Sequence, residues 1–216
     1  VYAPPADVGL GLVYVDDSLV VVNKPEGLLS VPGRGDDRQD CMVHRVQQRF
    51  PESLTVHRLD MATSGLLVFA RGEAMQRALS VLFQDRQMDK RYVAVVKGLL
   101  AQDQGEIDLP LSADWPNRPR EMVCFERGKP SQTRYEVLAR DLDQGETRVA
   151  LTPITGRSHQ LRVHMLALGH PMLGDPFYGD ADSQARAPRL LLHAAALSLT
   201  HPQTGERMHW SSAPPF

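Results

Sequence analysis

The chain has 216 residues, 42% of them apolar, only two cysteines and a formal net charge of −2. That length suits one large domain or two small ones, with apolar content enough for a sizeable core. The composition excludes a disulfide scaffold, a cysteine-based zinc site, a secretory signal region, a spanning helix of roughly 20 apolar residues and a general nucleic-acid coating protein, and it fits a cytoplasmic chain.

Residues 1–10 carry two prolines and little pattern and read as a loose N-terminal arm. Leu19–Val22 is a short apolar strand that runs into N-K-P-E-G-L, where Lys24-Pro25 and Gly27 force a turn, and Pro32-Gly33 forces another. Asp40 reads as a helix N-cap, with Met42, Val43, Val46 and Phe50 following at helical spacing and Pro51 ending the run. Leu66–Ala70 is continuously apolar and too short for a typical helix, so it predicts a strand buried on both faces. Thr63-Ser64-Gly65 before it reads as a turn with Gly65 at positive φ. Immediately ahead, His57, Arg58 and Asp60 crowd into four residues. Two readings of that cluster stand: a capped turn with a surface ion pair, or site chemistry on a loop held by a rigid strand.

Residues 73–85 form the clearest helix, with Met75, Ala78, Leu79, Leu82 and Phe83 on one stripe. Arg91–Val96 begins a strand that ends at Gly98, with Tyr92 at its start. Residues 101–131 have little periodicity and read as long loops and irregular strands. Thr133–Ala139 and Thr147–Pro153 alternate and predict an antiparallel pair across the polar turn Asp141–Gly145. Ser158 can cap a helix over His159–Leu168, closed by Gly169, with Leu161, Met165 and Leu168 on one face and His159 and Arg162 on another. Leu190–Leu199, interrupted by His193, gives a last apolar strand. Many short strands, about three helices and no strand–helix alternation predict an α+β fold around a central, mostly antiparallel sheet.

The charges are unevenly placed. From Trp115 to Arg134 five basic residues face two acids, and Thr155–His164 holds Arg157, Arg162 and two histidines without an acid. Acids pair elsewhere, at Asp16-Asp17 and Asp36-Asp37. A local basic face is compatible with a small negative total, because screening limits distant charges to about 8 Å.

H-R-L-D-x-x-T-S-G, spanning His57 to Gly65, resembles the signature of the RluA family of pseudouridine synthases, and every fixed position matches. N-K-P-x-G-L from Asn23, K-R-Y-x-A from Lys90, G-R-x-H-Q-L-R-x-H from Gly156 and L-L-L-H-A from Leu190 resemble further family elements, in family order. The resemblance implies that Asp60 is the catalytic residue. It implies that Arg58 helps displace the target uridine, that Tyr92 lies against the base and that Arg162 pairs with Asp60. It also implies a single catalytic domain over residues 1–216, a catalytic cleft across the sheet, an isomerase and no cofactor. Only 22 residues precede Asn23, too few for the S4 RNA-binding module of many relatives.

D-W-P-N-R-P and G-K-P-S-Q-T look like the subgroup that modifies both a 23S rRNA loop and the tRNA anticodon arm. The implied partners are tRNA and 23S rRNA stem-loops, with no membrane and no obligate protein partner. Arg118, Arg120, Lys129 and Arg157 are the candidate RNA contacts. Two alternatives stand beside this reading: a synthase acting on rRNA only, and a metal-dependent hydrolase using His57, Asp60 and His159, with His164 and His193 as further candidate ligands. The spacing for metal is poor, since His159 and His164 are five apart rather than four. A third, an RNA-binding module without catalysis, leaves the intact Asp60, Tyr92 and Arg162 without a task.

Overall fold

A computed structural model describes residues 2–216. The strands in chain order are β1 (Leu12–Val15), β2 (Leu19–Lys24), β3 (Ser53–Thr55), β4 (Ser64–Arg71), β5 (Asp89–Lys97), β6 (Gln104–Asp108), β7 (Leu111–Ala113), β8 (Glu121–Val123), β9 (Gln132–Asp141), β10 (Glu146–Pro153), β11 (Leu192–Thr200) and β12 (Arg207–Ser211). The helices are α1 (Met42–Arg49), α2 (Glu73–Gln84), α3 (Gln160–Ala167) and α4 (Ala181–Ala185). Two compact units result: residues 1–90 with 194–215, and residues 91–193 with Phe216.

In the first unit the strands run in the order β1, β2, β4, β11, with β3 on β4 and β12 on β11. β2 and β4 are antiparallel, Val22 opposite Leu67 and Lys24 opposite Gly65. The apolar run read as a two-sided strand is one: Ser64–Ala70 are all buried. Leu19, Val21, Leu66, Val68, Leu79, Leu197 and Trp210 form a core against which the α2 stripe of Met75, Leu82 and Phe83 packs. Only Leu79 of that stripe is fully buried, so α2 covers the sheet as a lid with one deep residue.

Three local expectations are corrected here. Asp40 does not cap α1. Cys41 is the N-cap, and the Asp40 carboxylate instead takes Nε and Nη2 of Arg45 at 2.8 and 2.7 Å. A buried guanidinium competes better for that carboxylate than backbone amides do. Gly65 does have φ +116, yet it lies inside β4 rather than in a turn. A Cβ there would collide with the backbone of Ala194, so glycine is required by close strand approach as well as by φ. The N-terminal arm forms no regular element but is fastened. Tyr2 donates its hydroxyl hydrogen to the Asp40 carbonyl and accepts from Leu29 N–H, and Arg45 Nη2 donates to the Pro5 carbonyl.

In the second unit β5, β10, β9 and β6 run side by side, antiparallel throughout. The predicted β9–β10 hairpin is present, with Thr147 opposite Arg140 and Pro153 opposite Thr133. Residues 101–131 are irregular as expected: short β6, the small β7–β8 pair and a 3-10 turn at Trp115–Asn117. α3 starts at Gln160, one residue later than predicted, and Ser158 does not cap it. The N-cap is His159, in the left-handed region at φ 52. The amide of Arg157 bonds the Gln160 side-chain oxygen at 3.1 Å, so the helix is fastened from its first residue instead.

Candidate active site

The loop bearing Asp60 is held from below by groups of the N-K-P segment. Ser30 donates its hydroxyl hydrogen to the Leu59 carbonyl at 2.7 Å and accepts the Leu59 N–H at 3.0 Å. Lys24 is fully buried and spends its ammonium on the carbonyls of Pro25, Leu28 and Met61, at 2.8, 2.7 and 3.2 Å. Carbonyl acceptors replace water around the ammonium, which helps a charge to be tolerated at that depth. Gly27 N–H reaches the Met61 carbonyl and Thr63 N–H the Asp60 carbonyl, at 2.8 and 3.1 Å. The backbone on both sides of Asp60 is therefore fixed before β4 begins. Leu59 points into the core, while Arg58 is exposed and Asp60 half-buried.

His57 has a different task from its neighbours. Its Nε2 accepts the Val68 N–H at 2.9 Å, and its ring stacks on Phe83 at 4.5 Å between centroids. Although part of the residue reaches the surface, loss of solvation, helped by the Lys90 ammonium, pushes its pKa down to about 3. It is a neutral peg between the signature loop and β4.

Tyr92 and Arg162 both belong to the second unit. Tyr92 is half-buried on β5, opposite Leu151 of β10. Arg162 is 2% exposed. Its Nε and Nη2 donate to the two carboxylate oxygens of Asp175 at 2.8 and 2.6 Å, and the guanidinium lies 5.2 and 5.0 Å from the ring centres of Phe177 and Tyr178. Asp175 is itself fully buried, and its Oδ1 also accepts the N–H groups of Phe177 and Tyr178. Gln160 through Met165 of α3 are all buried. Gln160 anchors that helix. Its oxygen accepts from the Thr155 hydroxyl, and its amide donates to the Gln132 carbonyl and the Thr133 hydroxyl, at 2.7, 2.8 and 2.9 Å.

The candidate RNA contacts are all exposed. Arg118 stacks 3.3 Å over the ring of Trp115, itself 62% exposed. Arg157 Nε reaches the Pro130 carbonyl at 3.4 Å, next to Lys129. These four cations and Trp115 lie in the second unit, as do Tyr92 and Arg162; Arg58 and Asp60 share one loop in the first.

The histidines are committed to other work. His164 is buried, with Nδ1 2.9 Å from the Thr133 hydroxyl and Nε2 3.0 Å from the Leu109 carbonyl, and burial lowers its pKa. His159 Nδ1 lies 2.6 Å from the Tyr178 hydroxyl. Among the described residues no group of three His, Cys, Asp or Glu is gathered to hold a metal.

The model of the RNA pseudouridylate synthase family matches residues 18–167, more than half of the sequence. The chain belongs to the RNA pseudouridylate synthase family. The match takes in the Asp60 loop, Tyr92 and Arg162. Among similar proteins are the dual-specificity RNA pseudouridine synthases RluA of Yersinia pestis, 56% identical over 95% of this chain and 99% of that one, and of Escherichia coli K12, 53% identical over 100% and 98%. The solved structure of human RNA pseudouridylate synthase domain containing 1 superposes with a TM-score of 0.83 at 30% identity, covering 99% of this chain and 87% of that one. A second human structure, RNA pseudouridylate synthase domain containing 4, gives 0.75 at 27% identity over 95% and 88%. The fold is thus the α+β pseudouridine synthase fold, and this synthase is an RNA-modifying isomerase. The hydrolase alternative finds no support in these relatives. Lys24, Ser30, Asp175 and Tyr178 are supporting residues that sequence reading did not assign to the site. The N-K-P and G-D-P-F-Y-G runs carried the signal, since a lysine or aspartate beside turn-forming residues and apolar neighbours has to be paired.

Proposed function

We propose that this synthase isomerises uridines in stem-loops of both 23S rRNA and tRNA, in the cytoplasm, with residues 1–216 acting as one catalytic domain and Asp60 as the catalytic residue. The observation that carries the reading is the intact signature, in a loop locked by Lys24 and Ser30, within a chain 53–56% identical to dual-specificity synthases over nearly its full length.

The reaction breaks the N1–C1′ bond, turns the uracil over and joins C5 to C1′. Atoms balance without any addition, and one proton leaves C5 for N1 or solvent. Asp60 supplies an ionised carboxylate at the sugar or base. Arg162 pairs with it and fixes its direction. Tyr92 offers a flat face to the uracil, and stacking of that kind is worth about 1–3 kcal/mol. Extruding the base costs a few kcal/mol, less in a loop than in a duplex. Arg58, exposed beside Asp60, fills the vacated stack with its planar guanidinium. Arg118, Arg120, Lys129 and Arg157 contact phosphates and supply affinity without reading sequence.

The test is incubation of the protein and of Asp60→Asn with rRNA and tRNA lacking the modification, followed by mapping of each new pseudouridine. Sites in both RNAs, absent with the variant, are expected. Sites in rRNA alone would reject the dual substrate and keep the reaction.

A further inference from the structure

Tyr178 is buried to 8% exposure, and its two ends do different things. Its ring forms part of the bed under the Arg162 guanidinium, 5.0 Å from the ring centre, and packs edge-on to His159. Its hydroxyl lies 2.8 Å from the N–H of Glu121 and 2.6 Å from Nδ1 of His159. A hydroxyl can accept the first hydrogen and donate its own to the second at once. Glu121 is the first residue of β8, directly after Arg118-Pro119-Arg120. Tyr178 also packs with Val163 of α3, Leu111 of β7 and Val123 of β8.

The hairpin needs such a fastening. β7 and β8 are three residues each and form a two-stranded sheet of their own; Leu111 is also bridged to Lys129, but that holds only the β7 end, and a pair that short is marginal by itself. Its connection carries an exposed aromatic and two exposed cations, Trp115, Arg118 and Arg120, and these are useful only if the hairpin is held still. The internal bonds of the connection, Asp114 N–H to the Arg120 carbonyl and Asn117 N–H to the Asp114 carbonyl, set its shape but not its placement.

We propose that Tyr178 is a positioning residue for substrate recognition: its hydroxyl pins the 111–123 hairpin to the start of α3, so that Arg118 and Arg120 are presented to RNA in fixed register with Arg162. This rests on the proposed role of the hairpin cations in RNA contact. Tyr178→Phe tests it, because the ring under Arg162 is kept and only the hydroxyl is lost. With a stem-loop RNA, KM is expected to rise about fivefold, the equivalent of one net hydrogen bond, with kcat within about twofold of wild type. The Glu121 amide should exchange faster with deuterium in the variant. A ring with a merely structural role would move the melting temperature and leave KM alone. Arg118→Ala/Arg120→Ala serves as the parallel control. KM raised by that control but not by Tyr178→Phe, despite faster Glu121 exchange, overturns the positioning role in recognition and keeps the RNA role of the cations. KM raised by neither overturns both. A fall in kcat with unchanged KM in Tyr178→Phe would also overturn the proposal, since the hydroxyl would then act in the chemistry.

Discussion

At the scale of single residues, the signature loop divides its work among side chains that the sequence places side by side. Arg58 is exposed and Asp60 half-buried, whereas His57 and Leu59 hold the loop to the core. The family pattern could be read directly; the separate duty of His57 could not, because its partner is an amide eleven residues away. His57 makes stability pH-dependent in a definite direction. Its folded pKa, about 3, lies below the ordinary 6.5, so between those values the unfolded chain binds a proton that the native state refuses. This contribution is complete above about pH 6.5 and is lost as pH falls toward 3. Thermal unfolding followed from pH 7.5 to 4.5 should show a steeper decline for wild type than for His57→Gln. Parallel declines would remove the assignment. Lys24 makes a second case. Replacing it by Met keeps the stem and leaves three carbonyls without their ammonium donor, at about 1–3 kcal/mol for each that water cannot reach. Lys24→Met should therefore unfold at clearly lower denaturant, by about 3 kcal/mol or more. A loss under 1 kcal/mol would show that these bonds are not the support of the loop.

At the scale of elements, legibility followed contrast. β4, α2 and the β9–β10 pair were readable because their periodicity is strong and their boundaries carry Gly, Asp or a polar turn. β1 and β12 were missed because their outward residues are mixed. Leu12, Val13 and Val15 are partly exposed, and β12 contributes Trp210 to the core with only Met208 beside it. β3 and α4, of three and five residues, are too short to show any period. In α3 the start was misplaced by one residue, since its N-cap is His159; its Gln160, Arg162 and His164 are each buried with partners from distant segments. The Arg162–Asp175 pair is the deepest of these. Removing Asp175 takes away the two short bonds that its carboxylate gives the Arg162 guanidinium, and breaking a buried pair costs up to about 3–5 kcal/mol. Asp175→Ala is expected to lose that much by chemical denaturation, and Asp175→Asn, which keeps an acceptor for the amides of Phe177 and Tyr178, distinctly less. Equal losses would mean that the charge of Asp175 is immaterial to α3.

At the scale of the whole molecule, a net charge of −2 has to coexist with an RNA substrate. The resolution lies in placement, with exposed Arg118, Arg120, Lys129 and Arg157 in the second unit and many acids tied in pairs such as Arg134–Glu106, Arg140–Asp103 and Arg186–Glu146. Affinity for a stem-loop should fall with salt on a log–log line, and each of the four cations replaced by Ala should lower the slope by about 0.7–0.9. A slope unmoved by all four substitutions would locate the phosphate contacts elsewhere. The catalytic claim has a more direct test, because forming C5–C1′ obliges C5 to give up its hydrogen. In RNA whose uridines carry tritium at C5, wild-type protein should release tritium to water in step with pseudouridine formed, and Asp60→Asn, equally folded and equally bound to the RNA, should release none above background. Release by Asp60→Asn at the wild-type rate would contradict the assignment of Asp60 as the catalytic residue.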